Sequence, residues 1–179
     1  MKWERFINSK YFFTVACLSY IILMTAALIL IMKETNEKQM EELWNQGRDA
    51  AVQEDYVSAV QKLEEAVTYI GSTIEEQDFQ LVEDLAQMQV MAKLSEEAIE
   101  TYSRLIRAGK TTADIYMKRG SLYDQMNEYA LTLEDYKNAV KADPYNREVY
   151  ETIAQQLESM NHLVEAEIFR NTAIQFLGK

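Results

Sequence analysis

The sequence predicts an all-α protein, one apolar helix followed by a solenoid of stacked helical hairpins. Three observations predict it. Residues 11–32 form 22 consecutive positions without a charged side chain. From residue 79 onward the chain superimposes on itself at an offset of 34 residues, a period that belongs to hairpin solenoids. Only five Gly and one Pro occur in 179 residues. That is too few for the closely spaced turns of a β-sandwich, whereas the abundant Ala, Leu, Glu, Gln and Met favour helix.

The first element is a short tail, residues 1–10, and the second is the apolar run Tyr11 to Met32. A helix of that length rises about 33 Å, close to a hydrocarbon core of about 30 Å. The run exceeds the apolar region of a cleaved signal peptide, and its far end (Leu28 to Met32) is bulky rather than small. We therefore read residues 11–32 as a transmembrane helix. Cys17 lies inside this run and reads as a small buried side chain rather than a lipidation site. Lys2, Arg5 and Lys10 precede the run, and Lys33 and Lys38 follow it. By the positive-inside rule the amino terminus is cytoplasmic and the remainder extracytoplasmic, in a cell membrane. Residues 33–39 form a juxtamembrane linker or the start of the next helix.

The repeat domain is placed at residues 40–179. Three gapless blocks, 79–112, 113–146 and 147–179, share their columns. One small-residue column reads Ala86, Gly120, Ala154, and another Ala98, Thr132, Ala166. Tyr102 and Tyr136 repeat as an aromatic column. A fourth copy, residues 40–73, places Leu43, Gly47, Tyr56, Ala59, Leu63 and Ala66 in matching positions. Its spacing to the next copy is 39 rather than 34, which leaves five extra residues. The block from Asn127 to Pro144, with Tyr116, Gly120, Tyr123, Tyr136, Ala139 and Pro144 in signature columns, resembles the tetratricopeptide-repeat family. Arg119 and Thr132 depart from its pattern. The resemblance implies a right-handed solenoid of about four helix pairs.

Capping signals set the expected boundaries. Gly71 is expected to stop a helix. Ser72 and Thr73, with Glu75 and Glu76 three residues on, form overlapping capping boxes that start the next helix near Ile74. Ser95, Thr111 and Asn146 are expected to begin helices, and Gly109 and Gly178 to end them.

The resemblance also implies an inner groove lined by the first helix of each pair. Carried over by column, the lining is Glu41, Trp44, Asn45 and Arg48, then Gln80, Glu83, Asp84 and Gln87. The third pair gives Asp114, Met117, Lys118 and Ser121, and the last gives Glu148, Glu151, Thr152 and Gln155. Acids outnumber bases in this set. All but one of the 29 acids and all but three of the 18 Lys and Arg follow residue 32, for a net −13. A groove of that sign suits a basic or amphipathic protein segment. Family members that clamp an acidic carboxyl terminus use Lys, Asn and Arg in the inner columns. Asp84 and Asp114 stand in such columns here and would repel it.

Other functions are excluded more simply. A net charge of −11 disfavours nucleic acid, since phosphate contacts need clustered Lys and Arg. One Cys and one His leave no disulfide and no His/Cys metal cluster. His162 falls in a turn without an orienting partner, no phosphate loop occurs, and neither an enzyme nor a cofactor is expected. The last helix is rather apolar, with Leu163, Ile168, Phe169, Ile174, Phe176 and Leu177, so it is expected to self-associate or dock a partner. The expected function is a membrane-anchored scaffold or adaptor that assists secretion or the assembly of a membrane complex. The competing expectation is a targeting or import receptor for basic amphipathic signals, with its repeats in the cytosol.

Overall fold

The structure, a computed structural model, describes residues 2–178. Met1 and Lys179, the ends of the expected tail and last repeat, lie outside the described residues. The first helix, α1 (Lys2–Val52), is 51 residues long and therefore extends about 75 Å. No Gly or Pro interrupts the sequence before Gly47, so nothing halts the hydrogen-bond ladder between apolar run and first repeat. The 33–39 segment is thus helix rather than linker. It is laced by i,i+4 pairs, Lys33–Glu37 at 3.7 Å and Glu34–Lys38 at 2.7 Å, an arrangement that supports an isolated helix.

Seven further α-helices follow among the described residues. They are α2 (Tyr56–Val67), α3 (Phe79–Met91), α4 (Ser95–Arg107), α5 (Ala113–Gln125), α6 (Tyr129–Ala142), α7 (Arg147–Ser159) and α8 (Leu163–Leu177). The carboxyl-terminal end of α1 pairs with α2, and the others pair in order, giving four hairpins. Each hairpin turns at one residue with positive φ: Glu54 (59°), Lys93 (64°), Asn127 (61°) and Asn161 (64°). In each case the next backbone N–H reaches back to close the turn: Asp55 to Ala50, Leu94 to Gln89, Glu128 to Tyr123, His162 to Leu157, all at 2.8–3.0 Å. These are four copies of the Schellman motif, which satisfies carbonyls left open at the helix end.

The core is segmented like the repeat. Leu43, Val60, Leu63, Ala66, Leu81 and Leu85 join the first two hairpins. Val82, Ala86, Ala98, Tyr102, Leu105, Ile115 and Leu122 join the second to the third. Tyr136, Val149, Tyr150, Ile153, Leu157 and Phe169 fill the last. Small residues sit where helices approach most closely. A Cβ on Gly47 would meet Leu63 at 2.8 Å, and one on Gly120 would meet the Tyr136 ring at 2.9 Å. Each hairpin therefore buries its apolar face against its neighbours, which is why one alone would not be stable.

Three expected boundaries move. Helix α2 ends at Val67, not Gly71, because Thr68 Oγ1 donates to the Glu65 carbonyl at 2.6 Å and three successive i→i−3 bonds tighten the end. Helix α3 begins at Phe79 rather than Ile74, behind a single 3₁₀ turn, Glu76–Asp78. The capping pair is Glu75 with Asp78, whose Oδ2 accepts from the Glu75 backbone N–H at 2.9 Å. Asp78 is buried, whereas Ser72 and Thr73 are exposed. Thr112, not Thr111, caps α5, while Asn146 caps α7 as expected.

Candidate functional site

The first helices α3, α5 and α7 lie side by side and line a cleft of about 650 Å³. Its apolar surface comes from Ala51, Met88, Val90, Met91, Met117 and Leu122, with Tyr56 at one end. Gln87, Ser121, Gln125, Thr152 and Gln156 supply neutral polar groups, and Asp114 and Lys118 the charged ones. Tyr102 reaches the cleft from α4, and burial pushes its hydroxyl up to about 12, so it stays neutral. A second hollow shares Asp114, Met117 and Thr152 with the first and continues along α7 past Glu148. Together they form one groove.

Most of the carboxylates that the sequence assigned to this groove are already partnered. Glu83 is buried and bonds Lys110 at 2.7 Å and Lys118 at 3.1 Å. Lys118 also meets Asp114 at 2.7 Å. Burial pushes the Glu83 carboxyl up, but the bonds from Lys110 and Lys118 outweigh it and leave the group below its ordinary value. For Lys118 burial acts downward, and the bonds to Asp114 and Glu83 raise it overall. Two acids and two bases thus neutralise one another, with Asp114 and Lys118 in the groove and Glu83 and Lys110 beside it.

Trp44 and Arg48 lie outside the cleft. Trp44 is half-buried, and its Nε1 donates to Asp84 Oδ2 at 2.7 Å, tying α1 to α3. Gln80 donates to the other Asp84 oxygen at 2.8 Å. The exposed Arg48 guanidinium stacks 5.0 Å from the Trp44 ring. Glu151 pairs with Arg170 at 3.5 Å. Gln155 is exposed away from the cleft, and Gln156, one position on, lines it instead. Of the expected residues, Gln87, Asp114, Met117, Lys118, Ser121 and Thr152 meet in the main cleft, with Glu148 beyond. Met88 and Met91 are among the residues that the structure adds. Their i,i+3 spacing along α3 was a readable signal.

Arg119 is the most informative departure from the repeat pattern. It clasps Asp135 on α6 with two bonds of 2.7 and 2.8 Å and donates to Ser103 Oγ on α4 at 2.8 Å. Asp135 is 1% exposed. The bidentate pair locks three helices together behind the groove. His162 is not a free turn residue: its ring stacks on Tyr129 with centroids 4.0 Å apart. Among the described residues no cluster of His, Cys, Asp or Glu is arranged to hold a metal ion.

The architecture has close counterparts among solved structures. MamA aligns at 21% identity and a TM-score of 0.62, over 79% of this chain and 80% of that one. A tetratricopeptide-repeat protein from Parabacteroides merdae aligns at 21% identity and a TM-score of 0.65, over 77% of this chain and 53% of that protein. The solenoid has the tetratricopeptide-repeat fold. The first such domain of Spaghetti (RPAP3), bound to the HSP90 peptide SRMEEVD, aligns at 14% identity and a TM-score of 0.56, over 69% of this chain and 94% of that one. No family profile matches the sequence, and no curated protein does.

Proposed function

We propose that the chain is a membrane-anchored scaffold that holds an amphipathic segment of another protein in the groove of its repeats. The observation that carries this reading is the cleft of about 650 Å³ with Met88, Met91 and Met117 on its surface. Methionine adapts its shape to varied apolar side chains. The surrounding domain, net −13, attracts the basic side of such a segment. An acidic carboxyl-terminal peptide fits poorly, because Lys118 and Lys110 are engaged by Glu83 and Asp114. Helix α1 is long and apolar enough to cross a membrane. The charge asymmetry beside it supports a topology with the repeats outside, a place suited to chains emerging for secretion or envelope assembly.

The test is photocrosslinking in native membranes from a reactive residue at Met117, against the outward-facing Lys137 as control. We expect discrete protein adducts from Met117 that an amphipathic competitor peptide removes. Adducts identical to those from Lys137 would refute the groove. Inaccessibility from outside of a reporter fused after Lys179 would favour the targeting-receptor topology instead. Helix α8 offers a second apolar surface, since Val164, Ile168 and Phe176 are 70%, 57% and 68% exposed. Self-association would cover it, and a strictly monomeric chain in detergent at high concentration would exclude that role.

A further inference from the structure

The repeat register breaks once, at the five residues inserted between the first two copies. This segment does not project sideways into solvent. Helix α2 runs antiparallel to α1, back toward the apolar run, and the segment after it continues in that direction. A hollow of about 600 Å³ is lined by Tyr69, Ile70 and Thr73 on one side and by Ile29, Met32 and Lys33 of α1 on the other. Ile29 and Met32 belong to the last turn of the uncharged run, so the inserted segment lies level with its end.

The chemistry of the segment fits that position. Residues 68–74, Thr-Tyr-Ile-Gly-Ser-Thr-Ile, carry no charge, in a domain that is otherwise densely charged. Ile70 packs back into the core, which anchors the segment, while Tyr69 is exposed. Tyrosine is favoured at the membrane–water boundary, where the ring meets acyl chain and the hydroxyl meets water. The backbone there is irregular, and a hydrocarbon core would leave its polar groups unsatisfied. Glu75 and Glu76 immediately follow, and Glu75 lines the same hollow as Lys33. Both features fix the depth at the headgroup region and no deeper.

We infer that residues 68–74 form a second contact with the lipid surface, in which Tyr69 seats at the interface beside Met32 and Lys33. The contact rests on the reading of residues 11–32 as a span. With α1 it gives the solenoid two points of attachment, which fix its tilt and hold the groove at a set height above the bilayer.

The experiment uses the full chain in phosphatidylcholine vesicles. Cys17, the only cysteine, is replaced in a Cys17→Ser background. Single sites Tyr69→Cys, Leu23→Cys and Lys137→Cys are then labelled with an environment-sensitive fluorophore. Quenching is compared between lipids carrying a nitroxide near the headgroup and lipids carrying one near the chain end. The expected result is strong quenching at position 69 by the shallow nitroxide, at 23 by the deep one, and at 137 by neither. Quenching at 23 with position 69 behaving like 137 overturns the loop contact while the span stands. Absence of quenching at 23 overturns the span, and the loop contact with it.

Discussion

Glu54 and Lys93 hold backbone φ of 59° and 64°, a region that costs a side chain with a Cβ roughly 1–2 kcal/mol and glycine little. Asn127 and Asn161 occupy the same place in the later hairpins, and asparagine tolerates it better. Lys93→Gly should therefore stabilise the full chain by about 1 kcal/mol in a urea titration, after the entropy of the added glycine is discounted. Asn127→Gly should change it less. Arg119 illustrates the opposite case. Removing it strands Asp135, which is 1% exposed, inside the protein. Arg119→Ala should cost about 3–5 kcal/mol in the same titration, as loss of one partner of a buried ion pair does. An unchanged midpoint would show that Asp135 finds another partner.

Between elements, close approach and charge pairing decide the geometry. At Gly120 the α5 and α6 backbones pass so closely that a Cβ meets the Tyr136 ring at 2.9 Å. Tyr136 is fully buried and has little room to give. Gly120→Val should destabilise by about 1–3 kcal/mol through overpacking, measured by thermal melting. The α3–α5 contact carries a pH signature through Glu83. Its carboxyl is held below the ordinary value of 4.5 in the folded chain, so its contribution is present above that pH and lost as pH falls below it. The melting temperature should decline from pH 5 toward pH 3 more steeply in the native chain than in Glu83→Gln. The variant should start lower at neutral pH, where Lys110 and Lys118 lose their shared partner. Parallel declines would mean that Glu83 is protonated at an ordinary value.

For the whole molecule, the continuity of α1 matters most. One helix runs from the apolar run into the first hairpin, so the groove is rigidly placed relative to that run. Thr35→Pro should break it, since an interior proline costs about 3 kcal/mol and clashes with the carbonyl four residues back. Spin labels at Leu23 and Lys137 should give a narrow distance distribution in the native chain and a broad one in the variant. A narrow distribution in both would show that the lipid contact of residues 68–74 alone holds the orientation.

The sequence by itself determined the all-α class, the four hairpins and their order, though not the fusion of the apolar run with the first repeat helix. Those depend on local periodicity and on columns of small and aromatic residues that recur every 34 positions, and local signals are written in consecutive residues. Only part of the inner columns was legible for the same reason: Met117, Lys118 and Ser121 line the cleft, whereas Trp44, Arg48 and Gln155 do not. Which charges remain free in the groove was decided only by tertiary structure. Glu83 and Lys118 lie 35 residues apart, and Trp44 and Asp84 lie 40 apart, so no spacing rule announces either pair. The start of the 3₁₀ turn ahead of α3 followed the same logic: Ser72, Thr73 and Asp78 all offer cap chemistry, and it is the buried Asp78 that accepts from the Glu75 backbone N–H. A side chain's charge is a property of its residue type, whereas its partner depends on which helices the stacked core brings together.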